Sequence, residues 1–448
     1  MARRNNPLLL MCIIVMVGMA IFSNCSSNNP RAGDKPQPPR CDERHRCASG
    51  CCSREGVCRV GPEYCNAETC IDCSTRPRRQ CDRGYSALKR LTGYYELWNG
   101  GRSCNRFSGW NIPIGTYEHI NIAFLTINPN TFELNPIYSK QARDLRAAPW
   151  WRRYSETAKV YITVSSLSAH DWGINNASCS LTSFLSTYDL DGVDINWEQP
   201  DGTTDDYENL LQLLKNIRYA LSTTAGRYDL TMTLPVSLSD LHNYNLRKIV
   251  RHIDYFNLMP LDLHSQLAKV DTWKAATLGP AVNTTQVSDA LDLLWRHFID
   301  PSRVNFGTAL YGSSLIPKDP ACIQPGCPVA SGAAPGFSSH RVGMLMNSEI
   351  QDLLQPGEHE AWHGTGSTWF DSDAGVNIGI SEKQWIAYDD METLRLKLSL
   401  ASEWCFGGVT AWAITHDTRW ADYAKILDCL LVDRSKPLIV DNCRDIRI

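Results

Sequence analysis

The sequence predicts an α/β protein, a (β/α)8 TIM barrel with an inserted α+β subdomain, preceded by a small disulfide-rich module. Three observations predict it. After residue 90, eight apolar segments alternate with longer stretches of helical pattern, the arrangement of a closed parallel barrel. Eight cysteines crowd between Cys41 and Cys73, a density foreign to reducing compartments. Pro317 to Trp385 is too long for a plain crossover and reads as a subdomain of its own.

Taken in order, Arg3 and Arg4 precede an apolar run from Leu8 to Phe22, and polar Ser23–Asn29 follows. The run suits a signal-peptide core over residues 1–23 and is short for a membrane span. Gly18/Ala20 and Ser23 both offer a cleavage point, and an uncleaved signal anchor is the alternative. Residues 24–40 form a Ser/Asn/Pro-rich linker, 41–73 the cysteine module and 74–90 a basic connection containing Cys81. The barrel spans 91–431 with its insertion at about 314–385, and 432–448 is a tail. Its expected strands are Leu91–Glu96, His119–Ile127, Lys159–Ser165, Gly192–Trp197, Tyr228–Val236, Tyr255–Leu261, Val304–Tyr311 and Gly408–Ile414. Most are continuous apolar runs, as strands covered on both faces are. Within the insertion, Cys322 and Cys327 are spaced to close a short loop.

With 43% apolar and 21% charged residues, the 448-residue chain has the composition of a globular protein and room for one large and one small domain. A formal net charge of -4 argues against nucleic acid or an anionic membrane as partner and suits a neutral polymer such as a polysaccharide. Asn24, Asn176 and Asn283 head glycosylation sequons compatible with secretion. The histidines show no metal-ligand spacing, and no phosphate- or dinucleotide-binding glycine motif occurs. We expect no metal, no cofactor, an extracellular location and a monomer.

A segment as short as 41–73 cannot bury a stabilising core, so disulfides must supply its order. Eight cysteines admit about a hundred pairings, and spacing alone does not choose among them. The block Cys51-Cys52-Ser53-Arg54-Glu55-Gly56-Val57-Cys58, with Gly61-Pro62-Glu63-Tyr64-Cys65, resembles the hevein-like chitin-binding domain. That resemblance implies the pairs Cys41–Cys52, Cys47–Cys58, Cys51–Cys65 and Cys70–Cys73. It also implies that Ser53 and Tyr64 hold N-acetylglucosamine. Glu55 and Val57 stand at the other two platform positions, where neither reproduces an aromatic face. A purely structural module is the alternative.

Asp191-Gly192-Val193-Asp194-Ile195-Asn196-Trp197-Glu198 is the most informative stretch. Alternation along a strand puts Asp194, Asn196 and Glu198 on one face and Val193, Ile195 and Trp197 on the other. In a barrel the polar face points inward. Glu198 then stands at the C-terminal end of its strand, where barrel enzymes keep their chemistry. Carboxylates are costly to bury, which itself points to function. The stretch resembles the Asp-Gly-x-Asp-x-Asp-x-Glu signature of glycoside hydrolase family 18. Gly93-Tyr94-Tyr95-Glu96, His119-Ile120-Asn121-Ile122-Ala123-Phe124, Tyr311-Gly312 and Trp385-Ile386-Ala387-Tyr388-Asp389-Asp390 extend the resemblance over nearly all of 91–430. With the module upstream, the architecture resembles fungal killer-toxin-type chitinases.

The resemblance implies cleavage of chitin by substrate-assisted retention. Glu198 would protonate the leaving oxygen while the sugar's own acetamide oxygen attacks the anomeric carbon, and Asp194 would relay charge and protons. Trp412 matches the cleft-floor tryptophan, with Tyr95, Met259, Leu261 and Asp262 as further substrate-binding positions. Five departures alter this picture. Asn196 stands where the charge-stabilising aspartate belongs, and losing one such interaction costs about 10²–10³ in rate. Leu261, in Met259-Pro260-Leu261-Asp262, lacks the family's tyrosine hydroxyl. Ser165-Ser166-Leu167 replaces a Gly-Gly-Trp turn, Gln199 a tyrosine and Ser313 an arginine. Three readings follow: a chitin or chito-oligosaccharide binder with weak or lost hydrolysis, a working endo-chitinase, and a non-sugar barrel that binds protein.

Overall fold

The computed structural model describes residues 40–42, 51–59, 70–72, 88–102, 107–127, 134–136, 154, 158–166, 176–197, 204–224, 228–236, 238–241, 243–259, 277–297, 299–354, 368–381 and 383–432. The expected signal peptide and most of the linkers and tail lie outside them. So do Tyr64, Leu167, Glu198, Gln199, Leu261 and Asp262.

The N-terminal part contains three short antiparallel strands, β1 (Cys51–Ser53), β2 (Cys58–Arg59) and β3 (Cys70–Asp72), in the order β2-β1-β3. Cys41 and Cys52 form a disulfide with a Cα–Cα distance of 5.8 Å; Cys51 and Cys58 are each disulfide-bonded as well, and Cys47, Cys65 and Cys73, the expected partners of Cys58, Cys51 and Cys70, lie outside the described residues. Four consecutive positions here, Ser53 to Gly56, turn tightly enough that the Gly56 N–H reaches the Ser53 carbonyl at 2.9 Å.

The main body follows in chain order. β4 (Arg90–Glu96), β5 (His119–Ile127), β6 (Leu134–Pro136), β7 (Lys159–Ser166), β8 (Gly192–Trp197), β9 (Asp229–Pro235), β10 (Tyr255–Met259) and β11 (Val304–Ala309) precede an antiparallel insertion. The insertion contains β12 (Tyr311–Pro317), β13 (Val329–Gly332), β14 (Met344–Met346), β15 (Thr368–Asp371), β16 (Val376–Ser381) and β17 (Gln384–Tyr388), and β18 (Gly408–Trp412) completes the set. Strands β4, β5, β7 to β11 and β18 each run parallel to their neighbours. β4 bonds both β5 and β18, which closes the eight-stranded ring. β6 is added antiparallel to β5 outside it.

The sequence builds this ring by alternation. Leu91, Ile120, Ile122, Val160, Ile162, Val193, Ile195, Leu230, Met232, Phe256, Phe306 and Val409 are buried in one apolar core with residues of the surrounding helices. Those helices include Asn176–Tyr188, Thr204–Thr223, Thr284–Arg296, Met391–Glu403 and Asp422–Val432. Thr92, Tyr94, Asp194, Thr231, Asn257 and Asn305 occupy the opposite face and bond one another across the lumen. Side chains thus fill the interior, as in other barrels of this size, but with polar rather than branched apolar groups.

Among the described residues, two strand ends fall two residues short of the sequence expectation. β11 stops at Ala309, because Tyr311 leaves the ring to pair with Met346 in the insertion. β18 stops at Trp412, because Ile414–His416 turns into a 3-10 helix. The insertion has its own small core around Leu315, Val376, Ile378 and Trp385, a Cys322–Cys327 disulfide and a bond from Trp385 Nε1 to the Ile323 carbonyl at 3.0 Å. It grows directly from the C-terminal end of β11, so it stands beside the mouth of the barrel.

Candidate functional site

β8 delivers Asp194 to the middle of the lumen, fully buried. Its Oδ2 accepts the Tyr94 hydroxyl at 2.7 Å from β4. Its Oδ1 accepts Thr231 Oγ1 at 2.6 Å from β9 and Asn257 Nδ2 at 3.2 Å from β10. Asn257 also donates to the Tyr94 oxygen at 3.0 Å and accepts from Asn305 Nδ2 at 3.0 Å. Burial pushes the Asp194 carboxyl up, against the Thr231, Tyr94 and Asn257 hydrogen bonds that favour its charged form. Burial and the Asp194 charge likewise hold the Tyr94 hydroxyl well above the ordinary phenol range, so Tyr94 stays a donor. The result is a charge centre built from four strands, with every partner fixed by backbone on both sides.

An aromatic floor lies over this network. Tyr94 meets Trp412 at 5.2 Å between ring centroids, Trp412 stacks on Phe124 at 5.3 Å, and Phe124 meets Trp98 at 5.7 Å. Met259 packs against the same group. Trp98, Met259 and Trp412 are half-buried and so keep part of their surface open. A rigid indole face beside a polar centre is a common way to hold a sugar ring, by stacking on its apolar side.

The expected site residues sort as follows. Met259 and Trp412 come together at the C-terminal side of the ring, and Tyr94 links them to Asp194 beneath. Asn196 is half-buried one turn of the pleat above Asp194, level with Ser165 of β7. Glu198, Leu261 and Asp262 lie outside the described residues. Tyr95 is corrected: it faces outward into the helix-side core and its hydroxyl donates to the Phe107 carbonyl at 3.2 Å. Tyr94 is the tyrosine that reaches the lumen, as the period-2 pleat requires once Glu96 and Thr92 are set inward. Sequence reasoning missed Tyr94, Thr231, Asn257, Asn305 and Phe124. The alternation argument used for Asp194 finds Tyr94 when applied to β4 and Thr231 when applied to β9, where Asp229, Thr231 and Thr233 alternate with Leu230, Met232 and Leu234, whereas the polar residues of β10 and β11 carry no comparable signal. In the small module, Ser53 is buried and its Oγ accepts the Val57 N–H at 3.3 Å, and Tyr64 lies outside the described residues. Among the described residues, no group of His, Cys, Asp and Glu side chains is arranged to hold a metal ion.

Comparison with known proteins agrees with this geometry. Residues 90–417 match the family described as Glycosyl hydrolases family 18. The secreted chitinase LysM12 of Penicillium expansum is 23% identical over 409 residues, covering 82% of this chain and 26% of its own length. This chain spans about a quarter of the Penicillium expansum relatives it matches. Among solved structures, the Group IV chitinase of Ostrinia furnacalis superposes with a TM-score of 0.68 at 17% identity, covering 77% of this chain and all of the other. Human YKL-39, described as a pseudo-chitinase with retained chitooligosaccharide binding, superposes with a TM-score of 0.64 at 18% identity, covering 76% and 95%.

Proposed function

The chain belongs to glycosyl hydrolase family 18, and from that premise we propose that it binds chitin or chito-oligosaccharides in the barrel mouth while hydrolysing them weakly or not at all. One observation carries the reading: the floor formed by Tyr94, Phe124, Trp98 and Trp412 is assembled, while position 196 beside it holds an amide in place of a carboxylate. Stacking and shape need only the floor. Hydrolysis also needs a negative charge opposite the cation that forms when the acetamide oxygen attacks the anomeric carbon. Asn196 can accept a hydrogen bond there but supplies no charge, and Leu261 offers no hydroxyl to orient the acetamide.

The Asp194 network favours a second reading. A buried carboxylate held by three donors is expensive to maintain, and it suits a working endo-chitinase in which Glu198 is the acid and Asp194 the inner charge. Titration of the full chain with chitotetraose, followed by a hydrolysis assay with Glu198→Gln as control, separates the two. Binding with product formation no higher than the Glu198→Gln background supports the binder. Turnover abolished by Glu198→Gln supports the enzyme, and absence of binding overturns both.

We further propose that the chain is secreted as a glycoprotein after loss of residues 1–23 and acts as a monomer outside the cell. Its relative LysM12 is named as secreted, and among the described residues no helix is long and apolar enough to cross a membrane. The 41–73 module acts as a weak hevein-like chitin anchor, supported by the Cys41–Cys52 bond and by the cysteine spacing. Its contacts are Ser53 and Tyr64, with no stacking from Glu55 or Val57.

A further inference from the structure

Above the Asp194 layer, the mouth of the barrel holds a second buried charge cluster that the reaction scheme does not use. Thr92, Tyr94 and Glu96 alternate onto the lumen face of β4, and Glu96 is its outermost member. Glu96 is 3% exposed. Its Oε2 takes an ion pair from Arg102, accepts Thr415 Oγ1 at 2.6 Å and faces His416 Nε2 at 3.1 Å. Arg102 Nη1 donates in addition to the Thr415 carbonyl at 2.7 Å and to Asn99 Oδ1 at 2.8 Å. The His416 ring stands edge-on to Tyr311 at 5.8 Å, where the insertion begins. The cluster therefore joins three segments: the turn after β4 that carries Trp98, the turn that follows Trp412 at the end of β18, and the start of the insertion.

Resting on the reading of the floor as a sugar-binding surface, we propose that Glu96, Arg102, Thr415 and His416 form a clamp that positions Trp98 and Trp412 for an N-acetylhexosamine ring. The physical reason is the placement of the two indoles. Each sits at or just past the end of its strand: the Trp412 carbonyl takes the last ladder bond, from the Leu310 N–H at 2.7 Å, and the chain beyond it leaves the sheet. Trp98 lies in the 3-10 turn Leu97–Gly101, and Trp412 is the last residue of β18. Charge-assisted bonds in a dry site are strong and directional, so one carboxylate shared by both turns holds the two rings at a fixed separation. Glu96 and its partners touch no sugar in this scheme. They are positioning residues that act through the indoles.

The test uses the full chain. Chitotetraose affinity is measured by calorimetry, and the tryptophan bands of the near-UV circular dichroism are recorded without ligand. Trp412→Phe identifies which bands belong to the floor. Glu96→Gln, which is isosteric, and Thr415→Val, which removes a single hydrogen bond to the same carboxylate, should each diminish those bands and weaken chitotetraose about tenfold. Lys397→Met breaks a different buried ion pair, at 2.5 and 2.7 Å from the helix Met391–Glu403 to Asp389 in the turn after β17. It should lower the unfolding temperature and leave sugar affinity unchanged. The clamp is overturned if both Glu96→Gln and Thr415→Val keep the bands and the affinity, or if Lys397→Met weakens sugar as much as they do. If the unaltered chain takes up no chitotetraose, the sugar reading fails, and the positioning claim is decided by the tryptophan bands alone.

Discussion

Asp194 and Asn196 lie two residues apart on one face of β8, and in the proposed function the difference between carboxylate and amide at 196 separates a hydrolase from a binder. Asn196→Asp should restore the charge opposite the developing cation, and Leu261→Tyr the hydroxyl that orients the acetamide. Both act on the same group of the substrate, so their effects should couple rather than add. We expect the double variant to hydrolyse chitotetraose faster than the product of the single gains, with a ceiling of about 10²–10³ from the restored charge. Ordinary turnover from Asn196→Asp alone would clear Leu261 of any part in the loss. Glu96 makes a second prediction at this scale. Burial works to raise its carboxyl, but His416, Arg102 and Thr415 outweigh burial and bring it from 4.5 down to about 2. A depressed carboxyl contributes stability that is complete above its unfolded value and disappears as pH falls through the folded one. A shift of this size corresponds to about 3 kcal/mol. The urea midpoint of the unaltered chain should therefore fall more steeply between about pH 5 and about pH 2 than that of Glu96→Gln. Parallel profiles would mean that the carboxyl is not held by its partners.

At the scale of elements, the strands were legible because their outward faces are uninterrupted: Ile120 and Ile122, Val160 and Ile162, Leu230 and Met232 all enter one core. Their inward faces are legible where polar residues alternate with apolar ones: Asp194 and Asn196 in β8, Thr92, Tyr94 and Glu96 in β4, and Thr231 and Thr233 in β9. Tyr95 faces the helices because alternation along β4 turns Thr92, Tyr94 and Glu96 to the lumen, and the register against β5 sets Tyr95 opposite Ile122. The insertion shows a device that spacing alone does not reveal. Glu349, in the helix Asn347–Leu354, is buried and accepts the backbone N–H groups of Ser338 at 2.7 Å, Ser339 at 3.1 Å and Met346 at 2.9 Å. This carboxylate replaces a strand as the support for the loop before β14. Gly336 is required beside it, because a Cβ at 336 would run into the Glu349 carboxylate. Gly336→Ala and Glu349→Gln should each loosen that loop, at a cost of about 1–3 kcal/mol for the donors left unpaired. Faster limited proteolysis between residues 333 and 343, with β4 to β11 still protected, is the expected outcome. Unchanged cleavage would place the loop's support elsewhere.

For the whole molecule, oxidation and ring closure are the two constraints that matter. Cys41, Cys51, Cys52, Cys58, Cys322, Cys327, Cys405 and Cys429 are all disulfide-bonded. Mass spectrometry of the mature chain should find no free thiol between Cys41 and Cys73, and reduction should abolish chitin pull-down by the module before the barrel unfolds. A bound metal or a free thiol in that segment would remove the module as a disulfide scaffold. What the sequence determined by itself is local in origin. Apolar periodicity set the strands, cysteine density marked the module, and the Asp191–Glu198 stretch placed the candidate chemistry at the end of β8. Each of these depends on residues near one another along the chain. Closure of the ring by β4 with β5 and β18, the bond from Tyr94 to Asp194, the threading of Asp194's other partners through β9 and β10, and the sharing of Glu96 between two distant turns were decided only in three dimensions. Their partners stand 37, 63, 100 and 319 residues apart. A hydrogen bond over such separations leaves no periodicity in the sequence, and it forms only once eight strands have closed around a common axis.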